Sequence, residues 1–161
     1  MISERDEHFV RQAMQLALEA EGKGNLPVGA VIVLDGEVIA EGPNELLVPQ
    51  FDPARHAEIV AISNVEKALW PRAKDMEVFS TLEPCVMCYC TMLLHGIGRI
   101  VYGAQDERGG ASFIVGHLPP YYAEGRGVPI FEGPALQAEC AELYYRCDEA
   151  FSKLPCGVLA K

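Results

Sequence analysis

The chain has little positive charge. Lys and Arg number 13 against 23 Asp and Glu, a formal net charge of −10 over 161 residues. No Lys/Arg cluster relieves that balance. Tight nucleic-acid binders draw most of their affinity from neutralising phosphates, so the composition argues against a nucleic-acid partner without excluding a local basic patch. No run is long and uncharged enough to span a bilayer, and no basic-then-apolar leader precedes the first helix. The expectation is therefore a cytoplasmic protein with no membrane partner. Internal repeats and Gly/Ser-rich linkers are also missing, which favours one domain over residues 1–161. Without a secretory signal, the six cysteines read as reduced thiols or metal ligands rather than a disulfide framework.

Half the residues are apolar, and their spacing sets the elements. Residues 4–21 carry apolar side chains at helical spacing, with Ser3 and Asp6 in a capping pattern. Residues 30–34 and 38–40 flank Asp35-Gly36, a strong hairpin signal because both turn positions take positive φ. A second helix is expected from Ala54 towards Pro71, and a strand over 77–82. A third helix opens at Pro84 and stops at Gly96, followed by a strand over 99–104. Residues 105–127 form a long irregular segment, the kind that often binds or covers a ligand. A short strand over 128–131 and a helix over 134–151 complete the order αββαβαβ(β)α. Alternation of this kind predicts an α/β fold, a mixed sheet of about five strands covered by helices on both faces.

Two short segments carry the chemistry. In Pro84-Cys85-Val86-Met87-Cys88 the two cysteines lie three apart, on one face of a helix and able to share an ion. Cys85 is expected in the first helical turn, where the dipole favours a thiolate. In His56-Ala57-Glu58 the imidazole supplies a third ligand. Two thiolates and one imidazole leave a fourth tetrahedral position for water, the pattern of a catalytic zinc rather than a structural one. Residues two apart on a regular helix diverge, so His56 and Glu58 can share a centre only if His56 sits at the helix start and points out of its end. Cys90 faces away from Cys88. Cys140 and Cys147, seven apart in an apolar stripe, read as core.

These segments resemble the cytidine deaminase-like zinc hydrolases, whose signature pairs H-x-E with P-C-x-x-C. The likeness extends to Leu26-Pro27-Val28-Gly29-Ala30, to 52–58, to 81–88 and to 97–104. It is nearest the branch holding cytosine and guanine deaminases and tRNA adenosine deaminases. The resemblance implies a three-layer α/β/α sandwich with one Zn²⁺ per subunit on His56, Cys85 and Cys88. It implies Glu58 as the proton shuttle, Asn44 and the backbone near Glu83 as substrate contacts, and a homodimer. Phe113, His117, Tyr121 and Tyr122, in the long segment, are candidates to line the pocket or to cover the core. Tyr144, Tyr145 and Phe151 read as core before pocket, and Tyr89 as able to reshape the pocket or a subunit contact. The acidic charge puts a free cytosine-like or guanine-like nucleobase or nucleoside first as substrate. Deamination of wobble adenosine in tRNA is second, and a non-catalytic zinc-stabilised binding module third.

Overall fold

A computed structural model describes residues 1–154 of the chain, apart from the side chains of residues 125 and 126. Cys156 therefore lies outside the described residues. The first helix, α1 (Glu4–Gly22), starts where Ser3 and Asp6 close a capping box, each side chain accepting from the other's backbone N–H. It buries Phe9, Val10, Ala13, Leu16, Ala17 and Ala20 on one stripe. Strands β1 (Gly29–Leu34) and β2 (Glu37–Pro43) form the expected hairpin. Its turn places Asp35 and Gly36 at φ 54° and 84°, which Gly takes freely and Asp tolerates.

The remaining elements are α2 (Ala57–Asn64), a 3-10 segment (Lys67–Asp75), β3 (Glu77–Leu82), α3 (Val86–His95), β4 (Arg99–Ala104), the single turn α4 (Ser112–Val115), a π-helical turn (Tyr121–Arg126), β5 (Ile130–Glu132) and α5 (Gln137–Ser152). The strands order as β2-β1-β3-β4-β5, with β1 antiparallel to both neighbours and β3, β4 and β5 mutually parallel. All six residues of β1 are buried, because strands flank it on both edges and helices cover both faces. Val31, Val33, Phe79 and Val101 pack with α1 in one layer. Ala30, Ile32, Val78 and Ile100 pack with α2 and α3 in the other. The period-2 alternation of the strands thus divides the core between two helical layers.

The structure corrects two expected boundaries and the placement of one side chain. The second helix stops at Asn64, because Val65 turns extended, and Pro71 falls inside the 3-10 segment instead. The last helix begins at Gln137 rather than at residue 134, after Ala135 and Leu136 donate backbone N–H groups to Tyr102 and Gly103 at the end of β4. Tyr89 is fully buried against the edge of Phe131, so it fills the core and reaches neither the pocket nor a subunit surface. No helix among the described residues is long and apolar enough to cross a membrane.

The topology decides where a site can form. Because β3 and β4 are parallel and β1 opposes them, the start of β1, the end of β2, and the ends of β3 and β4 all reach one edge of the sheet. The register states this directly: Gly29 pairs with Pro43, Ala30 with Ser80, and Leu82 with Ala104. Open α/β sheets bind ligands at such carboxyl ends.

Candidate metal centre and active site

Residues from four strand termini converge on that edge. Leu26 and Val28 precede β1, Asn44 follows β2, Glu83 and Cys85 follow β3, and Asp106, Arg108 and Gly109 follow β4; together with His56, Glu58 and α5 they line a cavity of about 250 Å³. Gly42 seats α2 over the hairpin, since a Cβ there would collide with the Ala57 carbonyl and the Ala61 amide. The helix consequently lies close enough to deliver its N-terminus to the cavity.

His56 is the N-cap of α2, extended at φ −68° and ψ 155°, while Glu58 lies in the first turn. The imidazole thus leaves the helix end while the carboxylate stays on its inner face, and two residues that would diverge within a helix share one centre. Cys85 is likewise the N-cap of α3 and not a member of its first turn; Cys88 lies three positions later on the same side. Both sulfurs stand 3.6 Å from His56 Nδ1, and the three ligand atoms lie within 4.8 Å of one another. A tetrahedral ion with Zn–S of about 2.3 Å and Zn–N of about 2.0 Å requires S···N separations of about 3.6 Å. The residues present therefore fit zinc. Among the described residues no fourth side chain joins the set, and the described cysteines are all free thiols.

Electrostatics point the same way. The Cys85 thiol is pulled down to about 4, chiefly by the hydrogen bond from Cys88 and, against burial, by His56. Cys88 is pushed up by its hydrogen bond to Cys85 and by burial. Thiols ligate a cation as thiolates, so metal binding releases the protons they carry. For His56, burial disfavours the charged ring, but the hydrogen bond to Cys85 and the charge of Glu58 outweigh it and raise its pKa.

Glu58 is buried beside this set. Burial raises its pKa, reinforced by Cys85 and opposed by His56 and Ser80. Ser80 Oγ, fully buried on β3, donates to Glu58 Oε1 at 2.9 Å. Sequence reading missed Ser80; the available signal was a hydroxyl in an otherwise apolar alternation. Asn44 Oδ1 accepts from the Leu46 amide at 3.1 Å, which fixes the orientation of the side chain and leaves the NH₂ group for the cavity it lines.

The Glu83 carboxylate accepts from Asp106 N at 3.1 Å, Ser112 N at 2.8 Å and Ser112 Oγ at 2.5 Å, and Glu83 N donates to Ala104 O. Glu83 therefore anchors the segment after β4, and its carboxylate is already committed. Of the segment after β4, Asp106, Arg108 and Gly109 line the pocket, and Phe113, His117, Tyr121 and Tyr122 do not. Phe113 and Tyr121 are exposed, and Tyr122 packs against the core. In their place stands α5, whose Tyr144, Cys147, Asp148 and Phe151 form the far wall; Tyr145 faces solvent. Cys140 is core as expected, but Cys147 belongs to this wall, its thiol pushed up to about 12 by burial.

A mixed five-stranded α/β sheet that carries a His-Cys-Cys metal set and a buried carboxylate at its carboxyl edge defines a metal-dependent deaminase-type hydrolase. Residues 3–104 match the model of the cytidine and deoxycytidylate deaminase zinc-binding region, and the chain belongs to that family. It is 39% identical over 142 residues to the tRNA-specific adenosine deaminase of Haemophilus influenzae, covering 87% of this chain and 81% of that protein. It is 40% identical over 138 residues to the Bacillus subtilis protein of the same name, covering 84% of each chain. A solved structure from work on A-to-I editing by tRNA:A34 deaminases at the wobble position superposes with a TM-score of 0.71 at 34% identity, covering 85% of this chain and 99% of that one. These relatives overturn the expectation of a free cytosine-like or guanine-like substrate, which rested on net charge; a sum over the whole surface does not describe the pocket.

Proposed function

We propose that the chain deaminates adenosine to inosine at the wobble position of tRNA. The observation that carries this reading is its identity of 39% and 40% to tRNA-specific adenosine deaminases over more than four-fifths of the chain. A cavity of about 250 Å³ is in keeping with a single everted base.

His56, Cys85 and Cys88 would hold the zinc. Bound there, zinc supplies Lewis acidity that makes water a competent nucleophile near pH 7. Glu58 moves the protons. Ser80 occupies Oε1, so proton traffic falls to Oε2, which takes a proton from water and passes it to the ring nitrogen beside the reacting carbon. The water oxygen bonds to the carbon that carries the amine; the same carboxylate then takes the second proton from that oxygen and gives it to the amine, and the C–N bond breaks to release ammonia. Its burial-raised pKa suits a group that must hold a proton between these steps. Asn44 donates its NH₂ to an acceptor on the base. Val28 and Phe151 close the apolar sides and exclude bulk water. The exposed apolar residues Val86, Met87 and Leu94 on α3 support a homodimer through that helix.

The test incubates the zinc-loaded protein with an anticodon stem-loop RNA carrying adenosine at the first anticodon position, and separately with cytosine, guanine and adenosine. Inosine formation on the RNA, at a kcat/KM far above any ammonia release from the free compounds, is the expected result. Turnover of a free base with inert RNA would overturn it. Sedimentation at micromolar concentration tests the dimer, and a monomer throughout refutes it.

A further inference from the structure

Among the described residues that line the cavity, Arg108 is the one Lys or Arg. Its backbone is fixed. Asp106 Oδ1 accepts from Arg108 N and Gly109 N, both at 3.0 Å, and from Tyr144 OH at 3.3 Å. Glu83 pins residues 106 and 112, and Ala111 N donates to Pro84 O. The side chain is held more loosely. One nitrogen, Nη1, reaches both oxygens of Asp148 on α5, at 3.0 and 3.2 Å. The two side chains are 53% and 43% exposed. This pair joins the segment after β4 to the far wall of the cavity.

A guanidinium bound through one nitrogen has further donors to offer, and its planar fork matches a phosphate better than the single-nitrogen contact it makes here. Exposed ion pairs are weak and easily exchanged. The other arginines near α5 are taken up elsewhere: Arg146 by Glu21 and Glu142, Arg11 by Glu139 and Glu7.

We infer that Arg108 positions the substrate by leaving Asp148 for the phosphate next to the inserted nucleoside, and that Asp148 competes with that phosphate for it. This rests on the proposed function for its substrate class, a phosphodiester-linked nucleoside; a nucleoside 5′-monophosphate offers the same chemistry. Asp148 holds the guanidinium when the cavity lacks a phosphate and repels the phosphate when it arrives. The pair therefore tunes affinity rather than the chemical step, since neither group belongs to the metal set or touches Glu58.

The experiment measures binding of the stem-loop RNA by fluorescence anisotropy and its deamination, across a salt series, for wild type, Arg108→Gln, Arg108→Lys and Asp148→Asn. Thermal melts confirm that each variant folds. Arg108→Gln is expected to weaken binding and raise KM about tenfold with kcat within about twofold. It should also flatten the slope of log affinity against log salt by about 0.7, the share of one phosphate contact on a single strand. Arg108→Lys should retain the slope and lose part of the affinity. Asp148→Asn should tighten binding several-fold, whereas a merely structural pair predicts weakening. AMP and adenosine, run as competitors, separate the two phosphate sources: an advantage of AMP that Arg108→Gln removes assigns the site to a monophosphate, and no advantage assigns it to the strand. An unchanged Kd and salt slope in Arg108→Gln, or weaker binding in Asp148→Asn, overturns the inference. If wild type binds the RNA with an Arg108-dependent slope but leaves it unreacted, the proposed function fails and this inference stands.

Discussion

Glu58→Gln separates proton transfer from everything else this residue does. Glutamine keeps the shape, and its Oε1 can still accept the Ser80 hydroxyl, which lies 2.9 Å away in the native side chain. It cannot take a proton from water. General acid–base assistance contributes about 10²–10⁴-fold, and Glu58 is asked to act in both the capture and the return of protons. Single-turnover inosine formation should therefore fall by about 10³-fold or more, with zinc content unchanged. Stability should move the other way. Burial raises the Glu58 pKa above its unfolded value, so its contribution is complete below the unfolded pKa and is lost as pH rises through the folded one. The amide has no such loss. In zinc-free protein, the melting temperature of Glu58→Gln should exceed that of wild type by a margin that opens from about pH 4 upward. Turnover within tenfold of wild type, or a variant that melts lower than wild type at pH 8, refutes the reasoning.

Cys88→Ala leaves two protein ligands where three are needed, so metal analysis of the purified variant should find well under one zinc per chain. Asp6, held down to about 2 chiefly by the Arg99 guanidinium, is stabilising above its unfolded pKa. Denaturant unfolding of Asp6→Asn should show a loss of about 2 kcal/mol at pH 7 that shrinks as pH falls from about 4 towards 2. The Tyr89 hydroxyl is buried without a hydrogen-bond partner among the described residues. Tyr89→Phe should leave stability equal or raise it by about 1 kcal/mol, and a loss of that size would mean the hydroxyl is satisfied.

The metal set was legible because its ligands are local. A spacing of three in Cys85 and Cys88, and an imidazole two residues before an acid, restrict where the backbone can go. The requirement that His56 leave the helix end followed from helix geometry alone, and its N-cap position meets it. The far wall was not legible. Leu143, Cys147 and Phe151 share a 3.6-residue stripe that looks the same whether it faces core or cavity. Only the crossing of α5 from one layer to the other divides it, with Cys140 in the α1 layer and Cys147 and Phe151 against the opposite cluster. The segment at 105–127 misled for a related reason. Its length suggested a cover over the site, but one buried carboxylate, Glu83, ties its start to the strand ends. Nothing in the sequence marks which acid will accept three donors.

Net charge misjudged the substrate because it counts groups that other groups neutralise. Arg5, Arg11, Arg72, Arg99 and Arg146 each pair with carboxylates away from the metal set. At the cavity, the Glu83 charge is met by backbone and hydroxyl donors, and Asp148 is paired with Arg108. On the reading proposed above, the pocket formed by the described residues holds its substrate by enclosure and by one guanidinium, not by a basic face. Such an enzyme should bind RNA with a shallow salt dependence, a slope near 0.7 for one released contact rather than the several units of a basic binder. Measured between about 50 and 500 mM salt, log KM on the stem-loop should therefore rise by less than about one unit. A slope equivalent to four or more phosphates would place a second cationic surface on the path of the strand, and the account of affinity by enclosure would have to be abandoned.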